Sequence, residues 1–353
     1  MTFINSCDIA KIAGVSRSTV SRVINNYPNV PEETKEKILK VIREYDYVPH
    51  ASARMLAGAK NKIIGLFIID MVPRKESIRN RITKSPYYLE LTSSITEYAS
   101  EMGYNILVNI IHNEQGYNQI KECFYNKTIS GGIFIGENND DPTIKKIISE
   151  GYKAALIDQD MRVDDEVYKK CVIVNADNFN GAYNATKYLI NLNHTDIAHI
   201  TGDIEKFSAI QRINGYKKAL KDSNISVKNE FILNSSFIEE GGYNTTKKLL
   251  SKNNIPTAIF TSNDKIAIRA IRAIKEAGLN IPEEISIIGF DDIEECKYLN
   301  PQLTTIKMDL IKMAEVVTNL LITYIEDDNN QSNNYYTVPV SLIERESCTV
   351  LKK

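Results

Sequence analysis

The N-terminal fold of this 353-residue chain is decided by the segment Gly14-Val15-Ser16-Arg17-Ser18-Thr19-Val20-Ser21-Arg22-Val23-Ile24-Asn25. Apolar residues at helical spacing precede this segment and stop at its glycine, so a first helix is predicted to end there. Ser16 is a residue type that caps helices, and the apolar positions of the helix that follows are Val20, Val23 and Ile24. Two short helices joined by a tight glycine turn predict a helix-turn-helix.

The second predicted helix carries hydrogen-bonding side chains on its outward face, namely Arg17, Ser18, Ser21, Arg22 and Asn25. Side chains of these types can enter a major groove and either read base edges or hold phosphates. The alternative to a DNA-binding motif is a short helical hairpin that serves only as part of a hydrophobic core. A third helix is predicted over residues 32–45, where apolar residues recur at positions i, i+3, i+4 and i+7.

Four motifs stand out in the first sixty residues: Asp8-Ile9-Ala10-Lys11-Ile12-Ala13-Gly14-Val15-Ser16, Thr19-Val20-Ser21-Arg22-Val23-Ile24-Asn25, Tyr47-Val48-Pro49 and Ala53-Arg54-Met55-Leu56. Through them the chain resembles the lactose-repressor (LacI/GalR) family of bacterial transcriptional regulators, and later motifs extend the resemblance over nearly the whole sequence. The resemblance implies a cytoplasmic homodimer without catalytic activity, cofactor or metal. Such a protein would bind double-stranded operator DNA as a repressor and respond to a small-molecule effector, a sugar or related metabolite.

The resemblance also implies roles for individual residues of the head. Arg17 and Ser18 occupy the two variable positions that read operator bases, and an arginine can donate two hydrogen bonds to guanine. Thr19, Ser21 and Asn29 match positions that hold phosphates or cap helices. The residues expected to contact DNA are Ser16, Arg17, Ser18, Thr19, Ser21, Arg22, Asn25, Asn29, Ala53 and Leu56.

Charge and cysteine usage fit a protein that meets DNA at one end. The net charge is −2, yet residues 1–60 carry an excess of three positive charges. A chance fluctuation of a few charges is the alternative. The five cysteines form no CxxC pair and no zinc spacing, so isolated thiols in a reducing cytoplasm are expected. The N-terminus has no apolar run of signal-peptide length and no segment approaches the length of a membrane span, so neither secretion nor membrane insertion is expected.

After Gly58 the pattern changes from helical to alternating. Apolar runs of buried-strand length recur at 63–69, 104–111, 132–135, 154–157, 172–174, 197–200, 258–261 and 285–290. Helical patterns lie between them, for example at 87–102, 178–192, 211–221 and 265–277. This alternation indicates a mostly parallel sheet covered on both faces, and so many strands favour two doubly wound subdomains. No glycine-rich nucleotide motif is present in the sequence.

The family resemblance implies how these parts are arranged. It places an all-α helix-turn-helix DNA-binding head at 1–49 and a hinge helix with its linker at 50–60. An α/β core at 61–353, used for effector binding and dimerisation, would be similar to periplasmic sugar-binding proteins. In the family the hinge orders on the operator, and Leu56 matches a leucine that wedges into the minor groove and kinks the duplex.

Within the core, the resemblance implies two doubly wound subdomains that enclose a cleft. The first would hold about 61–174 and 304–326, and the second about 175–303 and 335–350. The chain would cross between them three times. The polar stretch 327–334 is interpreted as a loop between the two.

Ligands of doubly wound sheets bind beyond the carboxyl ends of the strands, so polar residues at those ends are candidates. Arg212, Asn263 and Asp291 match family positions that grip hydroxyl groups in relatives that bind sugars, and such side chains offer forks of donors and acceptors. Asp264 and Asp292 are interpreted as helix caps. The residues expected to bind the effector are Tyr88, Asp158, Ser208, Arg212, Phe260, Asn263 and Asp291, with Tyr88 and Phe260 as apolar walls.

The main departure from the family pattern is at 71–84, where about a dozen residues, many of them basic, lengthen the loop after the first strand. A lid over the cleft and a solvated loop are equally compatible with this insertion. Two other functions remain open: a sugar receptor without a regulatory role, and an enzyme with Asp158 and Asp291 as its acid–base pair. His194 and His199 are expected to be structural.

Overall fold

The chain forms two compact units, Met1–Lys62 and Ile63–Lys353. A computed structural model describes them over residues 4–24, 27–47, 61–71, 81–160, 166–235, 239–327 and 335–352. The first unit contains three helices, α1 (Ser6–Ala13), α2 (Arg17–Ile24) and α3 (Glu32–Glu44). The second unit contains the strands and the remaining helices.

Local capping explains where the helices of the first unit begin and end. The Asn5 side chain accepts a hydrogen bond from the backbone of Asp8, whose carboxylate accepts one from the backbone of Asn5, so α1 begins with a capping box. Gly14 ends α1 in the left-handed conformation, at φ 64°. Thr19 N–H donates to Ser16 Oγ at 3.1 Å and so caps α2. Pro31 precedes α3 without a side-chain cap.

The three helices pack around one small apolar core, whose most buried members are Ile9, Ala13, Val20, Val23 and Ile38. Residues from all three helices contribute to it, so none of the helices buries its apolar face alone. The predicted helix-turn-helix is thereby confirmed. Ile24, which was expected to point inward, is only partly buried at the edge of this core.

The second unit alternates strands and helices along the chain. Its strands are β1 (Ile63–Ile69), β2 (Asn105–Ile111), β3 (Gly131–Ile135), β4 (Ala154–Ile157), β5 (Val172–Ala176), β6 (Ile197–Thr201), β7 (Ile232–Asn234), β8 (Ala258–Thr261), β9 (Ser286–Asp291), β10 (Thr304–Lys307), β11 (Tyr335–Val338) and β12 (Ser341–Ile343). Its helices are α4 (Pro86–Glu101), α5 (Glu114–Tyr125), α6 (Pro142–Ser149), α7 (Asn178–Asn191), α8 (Phe207–Asp222), α9 (Glu239–Leu250), α10 (Asp264–Glu276) and α11 (Leu310–Glu326).

These strands form two six-stranded sheets, which define two lobes. The sheet of the first lobe has the order β11-β5-β4-β3-β1-β2 and is parallel throughout. The sheet of the second lobe has the order β12-β10-β9-β8-β6-β7, with only β12 antiparallel. Nearly every residue of the central strands is buried, as expected for parallel strands covered on both faces. The predicted α/β core of two doubly wound sheets is confirmed.

Two strands belong to the opposite lobe from the one expected. Residues 304–307 were assigned to the first subdomain, but β10 pairs with β9 in the second lobe. Residues 335–338 were assigned to the second, but β11 pairs with β5 in the first lobe. A four-residue strand has no periodicity that reveals its partner, because its sheet is chosen by contacts with residues distant in sequence. The chain passes between the lobes three times, after β5, β10 and β11.

Several expectations fall outside the residues that the structure describes. They concern Asn25, the hinge at 50–60 with Ala53 and Leu56, most of the insertion at 71–84, and most of the polar loop at 327–334. Of the helices in the described part of the chain, none combines the length and the apolar composition needed to cross a bilayer.

Candidate nucleic-acid interface and ligand cleft

The exposed face of α2 carries the side chains that the sequence singles out for DNA contact. Arg17, Ser18 and Arg22 are exposed and Ser21 is half-buried, whereas Val20 and Val23 face the core. Arg17 Nε donates to Ser6 Oγ at 3.2 Å, so the guanidinium leans across the first turn of α1. Asn29 is exposed in the turn before α3. The arrangement leaves a row of hydrogen-bonding groups on one helix face, and their contact with DNA stays a prediction.

A cluster of three hydroxyl groups begins α2. Ser16 Oγ lies 2.7 Å from Ser18 Oγ and 2.8 Å from Thr19 Oγ1, while it also accepts from Thr19 N–H. Ser16 is therefore engaged as a helix cap. The backbone N–H groups of a helix N-terminus, together with exposed hydroxyls, form a suitable site for a phosphate oxygen.

The ligand cleft lies between the two lobes, at the carboxyl ends of both sheets. It encloses about 1020 Å³ of space, a volume that includes its opening to solvent. The N-termini of α4, α8 and α10 reach it, and the helix dipole makes such termini favourable for electronegative groups. The polar side chains that line it are Arg81, Ser85, Tyr87, Tyr88, Glu137, Asp158, Asp203, Lys206, Ser208, Arg212, Asn263, Lys265 and Asp291.

Arg212, on the second turn of α8, is fixed at the centre of the cleft although it is only 3% exposed. Its Nε donates to Asn178 Oδ1 at 2.8 Å, and its Nη1 donates to the carbonyl oxygen of Ser262. The guanidinium carbon lies 3.7 Å from the centre of the Phe290 ring. These contacts hold the guanidinium plane in place before any ligand arrives, which lowers the ordering cost of binding.

Two half-buried carboxylates face Arg212, one from each lobe. Asp158 follows β4 and Asp291 ends β9, and both have positive φ angles, 60° and 121°. Residues other than glycine seldom adopt such angles, and where they do they often serve a functional site. Burial raises the pKa of both carboxyl groups, and the charge of Arg212 opposes the rise. Ligand groups that donate hydrogen bonds would stabilise these carboxylates.

The neighbouring polar residues of the second lobe divide into those that line the cleft and those that are structural. Asn263 and Ser208 line the cleft, as expected. Asn263, rather than Asp264, caps α10, because its Oδ1 accepts from Ile266 N–H at 2.8 Å. Asp264 is fully buried and accepts from Thr305 Oγ1 at 2.6 Å, and Asp292 accepts from Arg345 Nη2 at 2.6 Å. Both aspartates are structural, but neither is a helix cap, which corrects that part of the expectation.

The aromatic residues expected to form walls are not all in the cleft. Tyr88 lines it together with Tyr87, and their rings meet edge to face at 5.1 Å between centres. Phe260 does not line it. Its ring is buried in the second lobe and stacks on His199 at 4.5 Å. The assignment of Phe260 to the effector site is therefore wrong, because alternate residues of a strand face opposite sides of the sheet.

Both histidines that flank Asp196 are buried and structural, as expected. His199 Nδ1 donates to the carbonyl oxygen of Phe260 at 3.0 Å, and burial lowers the pKa of His199 to about 3. His194 contacts Thr257 Oγ1 at 2.9 Å and the carbonyl oxygen of Thr349 at 3.0 Å. Within the described ranges, no cluster of three or more His, Cys, Asp or Glu side chains could hold a metal ion.

A second polar group, which sequence reasoning missed, lies beside β1, β3 and β6. Glu137 follows β3, and Lys206 precedes α8 in the other lobe. Lys206 Nζ donates to the carbonyl oxygen of Gly136 at 2.5 Å and to Asn138 Oδ1 at 2.6 Å, so it joins the two lobes across the cleft. The rule that identified Asp158 would also have found Glu137, which is the second residue after a buried strand.

The inserted segment contributes one side chain to this group. Arg81 lines the cleft, and its Nε donates to Asp70 Oδ2 at 3.3 Å while its Nη2 pairs with Asp70 Oδ1. Asp70 directly follows β1. The end of the insertion therefore lies at the cleft mouth, and residues 72–80 are outside the described ranges.

Glu137→Gln should change how stability depends on pH. Burial raises the pKa of Glu137 to about 7, although Lys206 and the nearby Gln159 amide oppose the rise. Between the ordinary pKa of a glutamate and 7, the folded protein keeps a proton that the unfolded chain releases, so stability falls as pH rises through this window, by up to about 3 kcal/mol. The neutral variant lacks this dependence. The melting temperature of the variant minus that of the parent protein should therefore increase from pH 5 to pH 8.

The control for this measurement is Glu122→Gln, which alters an exposed glutamate of α5. Melting temperatures of all three proteins would be recorded in steps across the range. If the melting temperatures of the parent and of Glu137→Gln change in parallel with pH, the pKa of the Glu137 carboxyl group is not raised by burial.

Comparison with known proteins finds a family match toward each end of the chain. Residues 7–50 match the family described as bacterial regulatory proteins, lacI family, and residues 186–348 match the periplasmic binding protein-like domain. The HTH-type transcriptional regulator MalR of Clostridium butyricum is 34% identical over 348 residues, which cover 98% of this chain and 99% of the relative.

Two solved structures share the fold over most of their length. A Lac repressor dimer bound to operator and the anti-inducer ONPF has a TM-score of 0.81 at 24% identity, covering 99% of this chain and all of that one. A LacI-family regulator of Enterococcus faecium with bound ribose has a TM-score of 0.68 at 25% identity, covering 82% of this chain and all of that one.

Proposed function

The chain belongs to the lacI family of bacterial regulatory proteins and is an effector-controlled DNA-binding regulator, and on this premise we propose that it is a repressor whose effector is an uncharged sugar. The sugar binds in the cleft between the lobes, and α2 reads the operator. The relatives named above are transcriptional regulators, not enzymes. Because bacterial operators lie in the cytoplasm, we also propose a cytoplasmic location, which cell fractionation would test.

The presence of both signs of charge in the cleft is the observation that supports an uncharged sugar. The cationic side chains that line it are Arg81 and Lys265, which are paired with Asp70 and Glu295, and Lys206 and Arg212, while the acidic ones are Glu137, Asp158, Asp203 and Asp291. A strongly anionic or cationic ligand would leave one half of this set uncompensated. Hydroxyl groups both donate and accept hydrogen bonds, so a polyhydroxylated ligand can satisfy both halves.

The expected roles of individual residues follow from their geometry. Asp158 and Asp291 accept hydrogen bonds from ligand hydroxyls, while Arg212, Asn263 and Ser208 donate to ligand oxygens. Contacts from both lobes favour the closed arrangement of the core, so ligand binding shifts the balance between two arrangements of the lobes. Operator affinity responds because the ligand binds one arrangement more tightly than the other.

Binding of DNA and of ligand by the full chain would test this function. Operator sequences would be selected from random duplexes by the purified protein, and the selected duplex would then be titrated at fixed salt with and without a panel of sugars. We expect a defined palindromic site and at least one sugar that changes its affinity. Binding without sequence preference, or a site unaffected by every sugar in the panel, would contradict the proposal.

A second copy of the chain is proposed to cover an apolar surface of the first lobe. On α4, Leu89 is 53% exposed, and on the adjacent edge strand β2, Leu107 and Val108 are 36% and 43% exposed. An edge strand with exposed apolar side chains favours association unless another chain covers it. The similar Lac repressor structure is a dimer, and we propose the same for this chain.

Leu107→Asp should therefore convert the dimer to a monomer and weaken operator binding, because each half-site is then bound separately. Sedimentation velocity over a range of protein concentrations would measure the change. Val227→Asp is the matched control, since Val227 is also 36% exposed but lies in the second lobe. A Leu107→Asp protein that sediments as the parent does would show that this surface is not the dimer contact.

A further inference from the structure

Two adjacent residues of the second lobe, Glu205 and Lys206, bind one loop of the first lobe. Lys206 Nζ donates to the carbonyl oxygen of Gly136 at 2.5 Å and to Asn138 Oδ1 at 2.6 Å. In the opposite direction, Asn138 Nδ2 donates to Glu205 Oε2 at 3.0 Å. Because one pair of residues precedes α8 and the other follows β3, all three bonds cross the cleft. We call these four residues the interlobe clasp.

The interlobe clasp lies away from the segments that connect the two lobes. The chain passes between the lobes after β5, β10 and β11, whereas the clasp follows β3 and β6. In the sheets, β3 is two strands from β5 and β6 is three strands from β10, which places the clasp about 10 to 14 Å from the crossovers. A rotation of about 10° around the crossovers would separate the two halves of the clasp by about 2 Å, enough to break its hydrogen bonds.

The interlobe clasp is made by groups of the protein alone, so it needs no ligand to form. Lys206 is half-buried, and burial lowers the pKa of its ammonium group, whereas the nearby carboxylate of Glu137 opposes this change. Glu137 therefore favours the charged form of Lys206, and an ammonium group donates stronger hydrogen bonds than a neutral group does. The lysine is thus suited to hold two acceptors of the first lobe.

We propose that the interlobe clasp holds the core closed before an effector binds, and that it thereby sets the operator affinity of the ligand-free protein. This inference rests on the proposed function, because it requires that the two arrangements of the core differ in operator affinity. It gives Asn138, Glu205 and Lys206 a positioning role, since they act on the arrangement of the lobes and not on DNA.

Three variants test the clasp. Asn138→Ala removes an acceptor and a donor of the clasp, and Asn138 is not among the described residues that line the cleft. Lys206→Met removes both lysine bonds but keeps a long side chain. Lys217→Met, which alters an exposed lysine of α8, is the matched control. Melting temperatures would show that each variant is folded.

The distance between the lobes would be measured by pulsed electron paramagnetic resonance on the full chain without ligand. Spin labels would be attached to azido side chains introduced at Gln115 and Glu240, which are exposed on α5 and α9, the helices after the outermost strands β2 and β7. An excess of unlabelled chains would ensure that only label pairs within one chain are measured.

We expect both clasp variants to show a second, longer distance between the labels. The ratio of open to closed molecules should rise by about fivefold to tenfold, because each variant loses two hydrogen bonds of the clasp or more of its charge-assisted donors. Lys217→Met should match the parent. The effects of Asn138→Ala and Lys206→Met should be less than additive in the double variant, because the two residues share a bond.

Operator titrations of the same ligand-free proteins would test the link to DNA binding. Asn138→Ala and Lys206→Met should change operator affinity in the same direction, by about threefold or more, while Lys217→Met should not. Distances like those of the parent in both variants would show that the clasp does not hold the core closed. Longer distances with unchanged operator affinity would equally overturn the inference.

The outcomes distinguish this inference from the proposed function. If either of those results is found while the parent selects an operator and responds to a sugar, the inference is wrong and the proposed function stands. If the parent selects no operator sequence, the proposed function is wrong, and the control of operator affinity by the clasp is overturned with it.

Discussion

Arg212→Ala should abolish the response of operator binding to effector at ligand concentrations that saturate the parent protein. The guanidinium is held by Asn178 and Ser262, so its position is set before the ligand binds. The variant would lose charged hydrogen bonds that contribute about 3 kcal/mol in total to effector binding. The affinity for the effector should therefore fall by at least about 100-fold. Operator titrations with and without a sugar found by screening would measure the loss.

Operator affinity without effector provides the first control for this variant. It should stay close to that of the parent unless the substitution itself shifts the balance between the two arrangements of the core. Asp291→Asn is the second variant, because it keeps the shape of a ligand-facing side chain and leaves Arg212 in place. Arg272→Ala, which removes an exposed arginine of α10, should respond like the parent. Normal responses from both cleft variants would mean that the effector binds elsewhere.

Arg17→Ala should relax operator preference at one base pair in each half-site. An arginine that donates two hydrogen bonds to guanine contributes about 1–3 kcal/mol of discrimination, and a dimer would lose this at both half-sites. The side chain is exposed on α2 and bonded only to Ser6 Oγ in the described part of the chain, so its removal should leave the head folded. Selection from randomised half-sites at constant salt would show the lost preference.

Arg43→Ala is the matched control for the base-reading role. Arg43 is an exposed arginine of the same unit, but it lies near the end of α3 and donates to the carbonyl oxygen of Leu39. Its loss removes one positive charge and should lower affinity for all sequences alike, if at all. If Arg17→Ala also lowers affinity without changing base preference, Arg17 holds a phosphate instead.

Most of the site near Arg212 could be predicted from the sequence, because each residue follows a recognisable strand or lies in a family motif. Asp158, Arg212, Asn263 and Asp291 all line the cleft where the carboxyl-end rule places them. Phe260 was misplaced because an apolar strand covered on both faces has no alternation to show which side chain points where. The side of the sheet to which the Phe260 side chain points depends on the pleat of the folded sheet.

The sequence by itself determined the helix-turn-helix and the alternation of strands and helices in the core. The reason is that caps, turns and apolar periodicity act between residues a few positions apart. Asn5, Gly14 and Ser16 fix the ends of α1 and α2 through such local bonds. Only the tertiary structure decided the lobes of β10 and β11 and the buried state of Glu137. These depend on pairing and desolvation between segments distant in sequence, and no local pattern reports such contacts.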